Sequence, residues 1–205
     1  MVNTIIAIIV SYLLGSISFS ILVARWLKKI DIRDHGSGNA GATNTLRVLG
    51  KGPAILVFLL DIAKGSAGVL IGSWLSDGSA AVEVACGLAA IAGHNWPIYF
   101  RFKGGKGIAT TVGALVVWAF LPTLIAGVVA ILVIAVTRYV SLGSMIFAVL
   151  LPILVFLFDK DTAFLWGALV VAVLAIVRHR KNITKLINGT ENKLGSGKKG
   201  EPHGA

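Results

Sequence analysis

Apolar positions in this chain come in blocks, without the alternating or single-face stripes of a water-soluble core. Uncharged or nearly uncharged runs occupy 3–27, 53–75, 81–100, 141–158 and 162–177, and short polar segments separate them. About twenty residues at 1.5 Å each match a hydrocarbon thickness of about 30 Å, so each run predicts a membrane-spanning helix. The segment 108–137 is apolar throughout but would run about 45 Å as one helix, too long for a single crossing. Pro122 lies near its middle, with Gly113 and Gly127 on either side.

Lysine and arginine placement decides how that segment crosses. With 25–51 on the cytoplasmic side, Asp77 and Glu83 fall outside and 101–106 returns inside. A single crossing by 108–137 would send Arg138 and the basic stretch 178–185 outward. A hairpin turning near Pro122 keeps both in the cytoplasm and puts Asp159 and Asp161 outside. The expectation is an all-α polytopic integral membrane protein of seven spans, N-terminus outside and C-terminus cytoplasmic, with five full spans plus a re-entrant pair as the alternative because the two hairpin helices must be short. The first run has no basic residue ahead of it and Arg25, Lys28 and Lys29 behind it, which reads as an uncleaved span rather than a secretory signal. Residues 1–193 are expected to form one transmembrane domain. The Gly- and Lys-rich stretch 194–205, which lacks apolar periodicity, is expected to be a disordered tail.

Composition sharpens this picture. Hydrophobic residues make up 56% of the 205 positions and charged residues 14%, where a soluble domain carries about 25% charged. The net charge of +10 does not point to nucleic acid, because the basic residues sit between and after the spans. Anionic headgroups and anionic substrates account for them better. Cys86, the only cysteine, lies in an apolar run and allows no intramolecular disulfide.

The predicted topology gathers four polar segments on one face: 35–51, 101–107, 138–144 and 178–191. The first reads HGSGNAGATNTLRVLGKG. It formally matches a dinucleotide fingerprint, yet a membrane helix precedes it and Asp61 lies inside the next span, so the match is rejected. What remains is an anion site: Gly38 lets backbone approach, Ser37, Asn39, Thr43 and Asn44 offer neutral donors, and Arg47 adds a planar fork suited to phosphate. In RFKGGKG, Lys106 between Gly105 and Gly107 combines an ammonium with amides at a helix start. This is not a Walker A loop. In RYVSLGS, Ser141 reads as a helix cap and Ser144 as a hydroxyl facing substrate. In the fourth segment, His179 and Asn182 share a helix face and can hold a substrate hydroxyl, while Arg178, Arg180, Lys181 and Lys185 suit anionic lipid. His94 reads as a capping or interfacial residue, and Asp61 and Lys64, three apart inside a span, as a mutual pair. The four histidines have no metal-ligand spacing, so neither metal nor cofactor is expected.

Taken in order, YLLGSISF, GSGNAGATNTLR, LDIAKG, GHNWPIYFRFKGGKG, RYVSLGS and RHRKNI with NGTE resemble the acyl-phosphate-dependent glycerol-3-phosphate acyltransferases of bacteria, over about residues 12–191. The resemblance implies transfer of a fatty acyl group from acyl phosphate to the 1-hydroxyl of glycerol 3-phosphate, giving lysophosphatidic acid and phosphate, the first step toward phospholipids. It implies a multi-pass protein of the inner (cytoplasmic) membrane with its site facing the cytoplasm. Ser37, Gly38, Asn39, Thr43, Arg47, Gly105, Lys106 and Gly107 would hold phosphate, with Ser144, His179 and Asn182 at the acyl-transfer end. Either His179 or the acceptor's own phosphate would take the hydroxyl proton. Acyltransferases that use acyl-CoA or acyl carrier protein carry His, four residues, then Asp, which no histidine here has. A transporter of small phosphorylated anions is the alternative, though transporters tend to show repeats and helices broken at mid-membrane.

Overall fold

The structure, a computed structural model, describes residues 1–158 and 161–195, and every regular element among them is helical. The helices are α1 (Val2–Gly15), α2 (Phe19–Lys28), α3 (Ala42–Leu49), α4 (Lys51–Leu75), α5 (Ala80–Asn95), α6 (Ile108–Trp118), α7 (Phe120–Thr137), α8 (Val140–Phe158), α9 (Thr162–Arg178) and α10 (Arg180–Ile187), with short 3-10 turns at Ile32–Asp34 and Ile98–Phe100. By length and composition, four stretches can cross a bilayer: Val2–Lys28 taken across its break, α4, α7 and α8. A fifth is α9 continued into α10 through a 57° bend. Bulky apolar residues such as Ile5, Leu59, Leu132 and Phe156 are exposed on the outer surfaces of these helices, as a lipid solvent requires.

Three predicted elements differ from expectation. The first run, 3–27, is two helices separated at Ser16–Ser18. The carbonyl of Ile17, freed at this break, accepts a hydrogen bond from Lys64 Nζ at 2.7 Å. The run 81–100 stays helical only to Asn95, because Trp96 precedes Pro97 and its backbone leaves the helical region. The segment 108–137 breaks at Ala119, not at Pro122. Pro122 falls in the first turn of α7, where its missing N–H would have had no helical partner anyway. Leu194, the first residue of the expected tail, accepts from the Arg138 guanidinium at 2.7 and 3.0 Å and its N–H donates to the Arg138 carbonyl at 2.6 Å. Residues 196–205 lie outside the described residues, as do Asp159 and Lys160.

Glycine and serine set how closely the helices approach. α4 packs against α1, α5 and α6, α5 against α1, α7 against α8, and α8 against α9. Gly65 of α4 lies on the backbone of Thr110, and Gly113 of α6 lies on that of Ile62. Gly15 and Gly93 join α1 and α5 in the same way, through Ala90 and Tyr12. Between spans, where lipid is as apolar as leucine, close backbone approach and hydroxyl bonds replace the hydrophobic effect as the cohesive force. Ser11 and Ser66 supply such bonds to the carbonyls of Gly68 and Gly113, at 3.0 and 2.8 Å. The largest apolar cluster, with Val69, Ile91, Leu115, Trp118, Phe147 and Leu151 among its members, fills the space between α4, α5, α6, α8 and α9.

Candidate functional site

One cavity of about 600 Å³ collects residues from all four polar segments. Its polar wall carries Ser37, Gly38, Asn39, Thr43 and Arg47 from the first segment, Lys106 and Gly107 from the second, Ser141 and Ser144 from the third, and His179, Asn182 and Glu191 from the fourth. Arg47 and Lys106, 59 positions apart, therefore face one space. The opposite wall is apolar, from Phe58 of α4, Val112 of α6, Ala130, Ile131 and Ile134 of α7, and Phe147 of α8.

The first loop is held from behind. Asn44 is fully buried; its amide donates to the carbonyls of Ile32 and His35, both at 3.0 Å, and its Oδ1 accepts from the Ser37 N–H at 2.8 Å. It scaffolds the loop and offers no donor to a ligand, contrary to the sequence expectation. Gly36 and Gly38 turn at φ of 62° and 71°, in the left-handed region that favours glycine. Arg33 ties this loop to the second one. It pairs with Asp31 at 2.7 Å and donates to the carbonyls of Phe100 and Lys103 at 3.0 and 3.2 Å. That pairing holds the Asp31 carboxyl down to about 2.

The glycine loop is packed rather than open. The Gly105 N–H donates to the His94 carbonyl at 3.1 Å, and a Cβ at Gly105 would strike the His94 ring and the Ala40 carbonyl. The Gly105 carbonyl accepts from the Arg178 guanidinium, which lies over the Trp96 ring at 5.3 Å. Gly105 thus sits behind the cavity wall and does not line it, unlike Lys106 and Gly107. Lys106 Nζ donates to Asn182 Oδ1. Burial pushes the Lys106 ammonium down to about 8, helped by the nearby charges of Arg47, Arg178 and Lys185 and opposed by Glu191.

Glu191 organises the other half of the polar wall. Its Oε1 accepts from Asn182 Nδ2 at 2.8 Å and from Ser141 Oγ at 2.9 Å. Ser141 is therefore tied across the site and is not a simple helix cap. Ser144 lines the cavity, but its hydroxyl donates back to the Val140 carbonyl at 2.8 Å. His179 is buried at the break between α9 and α10. Its Nδ1 faces the Ala175 carbonyl at 2.8 Å. A carbonyl can only accept, so Nδ1 carries the proton and neutral His179 keeps an acceptor lone pair on Nε2.

Two residues missed as site residues lie deeper in the same cavity. Asp61 and His94 both line it, at 1% and 6% exposure. Asp61 Oδ1 stands 2.8 Å from Lys64 Nζ, as the spacing predicts, and 3.5 Å from His94 Nδ1, which it does not. No sequence signal joins His94 to Asp61; the packing of α4 on α5 does. Among the described residues no group of three or more His, Cys, Asp or Glu side chains is placed to hold a metal ion.

This arrangement offers cationic and amide donors for phosphate at one end and a lipid-like wall at the other. A family model described as glycerol-3-phosphate acyltransferase matches residues 5–189. The glycerol-3-phosphate acyltransferase of Shouchella clausii is 55% identical over 199 residues, covering 95% of this chain and 97% of that one. That of Halalkalibacterium halodurans is 54% identical over 193 residues, covering 92% and 94%. Among solved structures, the glycerol 3-phosphate form of PlsY (YgiH), an integral membrane glycerol 3-phosphate acyltransferase, superposes with TM-score 0.89 at 38% identity, covering 94% of this chain and 96% of that one. Its lysophosphatidic acid form gives 0.86 at 37%, covering 94% and 95%.

Proposed function

The chain belongs to the glycerol-3-phosphate acyltransferase family and is an acyltransferase of the membrane, and from that premise we propose its donor, its site residues and its orientation. The donor is acyl phosphate, the acceptor is the 1-hydroxyl of glycerol 3-phosphate, and the products are lysophosphatidic acid and inorganic phosphate. One observation carries this reading: Arg47, Lys106, His179 and the apolar wall of α7 and α8 border a single continuous cavity. Two phosphate-bearing substrates and one acyl chain need that combination, and the transport alternative does not need the apolar half.

Acyl phosphate is a mixed anhydride with a good leaving group, so the chemistry asks mainly for positioning and charge stabilisation. Arg47, Lys106, Ser37 and the amides beside Gly38, Asn39 and Gly107 hold the two phosphates and offset their repulsion. Each charged hydrogen bond contributes roughly 1.5–3 kcal/mol. Thr43 lines the same wall. Asn182, fixed between Lys106 and Glu191, orients the ammonium. The acceptor oxygen forms its bond to the acyl carbonyl carbon, the bond from that carbon to the phosphate oxygen breaks, and the electron pair leaves with phosphate. His179 Nε2 receives the hydroxyl as a hydrogen bond, and the proton ends on a phosphate oxygen. Ser144 borders the reacting end. The acyl chain lies along α6, α7 and α8. We place the protein in the cell's inner membrane as a single multi-pass domain, with this cavity open to the cytoplasm.

Purified protein given acyl phosphate and glycerol 3-phosphate is expected to release phosphate and form lysophosphatidic acid in equal amounts, and to do neither with acyl-CoA. Arg47→Ala and Lys106→Ala are expected to abolish turnover. Near-normal turnover in both variants would sink the phosphate assignment. Retention of turnover in His179→Gln would support the phosphate as proton acceptor, and its complete loss would support the histidine.

A further inference from the structure

In a membrane span a small residue ordinarily marks the close approach of another backbone. The interior glycines of this protein mostly conform: Gly65, Gly93, Gly113 and Gly143 each meet the backbone of a neighbouring helix. Gly127, in the middle of α7, does not. A Cβ there would meet nothing within 4 Å. Glycine is also a poor helix former, so neither packing nor helix propensity accounts for it.

Cavity geometry does. Gly127 borders the main cavity and also a second, wholly apolar cavity of about 200 Å³ between α6 and α7. The two cavities share Val112 and Ile131, and the second runs on to Leu124 and Phe120. Along α7, Ile134 stands at the polar end, Gly127 about 10 Å further along and Phe120 about 10 Å beyond that, at 1.5 Å per residue. The two spaces therefore adjoin along α7, with Val112, Gly127 and Ile131 lining both.

We propose that Gly127 determines acyl chain length: its missing side chain is the clearance through which the distal part of a long acyl chain passes from the main cavity into the α6–α7 groove. This rests on the acyl-donor reading above. A bulky side chain at 127 fills the junction, whereas a single methyl group does not. A short chain, which ends before the junction, is unaffected. A long chain is forced sideways into lipid, where its surroundings stay apolar but its carbonyl carbon no longer lines up with the acceptor hydroxyl.

The test compares kcat/KM for palmitoyl phosphate and octanoyl phosphate in lipid nanodiscs. Gly127→Ala is expected to match the wild type within about twofold on both, because its methyl group has room. Gly127→Phe is expected to lose about tenfold or more on palmitoyl phosphate, the scale at which one misfitted methylene acts in an enzyme pocket, and to keep octanoyl phosphate within about twofold. Leu124→Trp, a turn further along the groove, is expected to spare lauroyl phosphate while lowering palmitoyl phosphate. An unchanged palmitoyl-to-octanoyl ratio in Gly127→Phe overturns the proposal. Should Gly127→Phe be inactive on both donors, Gly127→Cys in a Cys86→Ser background is assayed before and after tagging with alkyl methanethiosulfonates. Selective loss of palmitoyl transfer on tagging supports the proposal, and equal loss on both donors overturns it. A wild type that uses acyl-CoA and no acyl phosphate overturns the donor reading instead, and the chain-length ratio is then measured with palmitoyl-CoA and octanoyl-CoA.

Discussion

Burial sets the protonation of Lys106 in the phosphate-holding role proposed for it. Its ammonium is pushed down to about 8 by burial first, while Glu191 pulls the other way. An arriving phosphate dianion needs the protonated form, so kcat/KM for glycerol 3-phosphate should fall as pH rises through about 8, about tenfold per unit beyond it. Bound phosphate favours the ammonium, so kcat at saturation should keep its plateau to higher pH. Lys106→Arg, charged throughout this range, should lose the alkaline limb, and a pH–rate profile checks both. Asp61 carries a different expectation. Asp61→Ala leaves the Lys64 ammonium buried with the Ile17 carbonyl at 2.7 Å and the Phe19 ring at 5.5 Å but no counter-charge, and breaking a buried pair costs about 3–5 kcal/mol. Replacing both, as Asp61→Leu with Lys64→Met, should recover part of the loss in a thermal unfolding series. The Asp61–Lys64 pair was legible because i,i+3 spacing fixes neighbours on a helix. The roles of His94 and Asn44 were not. A polar, glycine-rich segment reads the same whether its donors face a ligand or, like Asn44, its own carbonyls.

α4, α8 and α9 were legible to within two residues, because each is one long uninterrupted apolar run, whereas the breaks and ends of the other helices were less so. Pro97 did signal the end of α5, because the residue before proline leaves the helical region. The break at Ser16–Ser18 has no such marker; it is stabilised by Lys64, 47 residues away, which takes the Ile17 carbonyl. Local propensity carries no trace of a partner that arrives through packing. Packing also separates glycines that look alike in sequence. Gly113 abuts the Ile62 backbone where α6 meets α4, while Gly127 faces open space. Gly113→Val should therefore push α6 off α4 and displace Lys106, which sits just ahead of that helix. The expected penalty is at least the 1–3 kcal/mol of ordinary overpacking, together with a fall in turnover. Gly127→Ala should leave the unfolding temperature within about one degree or raise it slightly, since alanine favours helix by up to about 1 kcal/mol. Parallel unfolding scans of the two variants in one detergent decide this.

Over the whole chain, convergence of the four polar segments constrains topology independently of charge counting. Segments bordering one cavity share a side, so the chain between any two of them crosses an even number of times or not at all. In the proposed topology α4 and the 16-residue α5 make two crossings between the first and second segments, and α8 and α9 make two between the third and fourth. α6, with 11 residues, and α7, with 18, connect the second segment to the third. At 1.5 Å per residue they are about 16 and 27 Å long, so the pair must go out and return, with α6 reaching only part of the hydrocarbon depth. In that topology the α1–α2 run is the unpaired crossing, and an odd total would put the N-terminus opposite the site. The C-terminal stretch reinforces the closed side, since Arg47 reaches the Asn192 carbonyl at 3.4 Å and Arg138 grips Leu194. Seven crossings, or five with α6 and α7 re-entrant, share this parity, which can be tested at three exposed positions in a Cys86→Ser background. A membrane-impermeant maleimide applied to intact cells is expected to label Ser79→Cys, and to reach Lys103→Cys and Thr184→Cys only after permeabilisation. Labelling of Lys103 and Thr184 from opposite sides would break the parity argument, because Arg178 joins their two segments through the Gly105 carbonyl at 3.2 Å. Labelling of all three from the same side would instead require α4 and α5 to dip into the membrane without crossing it. The 25-residue α4, with its buried Asp61 and Lys64 satisfied inside the protein, is too long and too apolar for that.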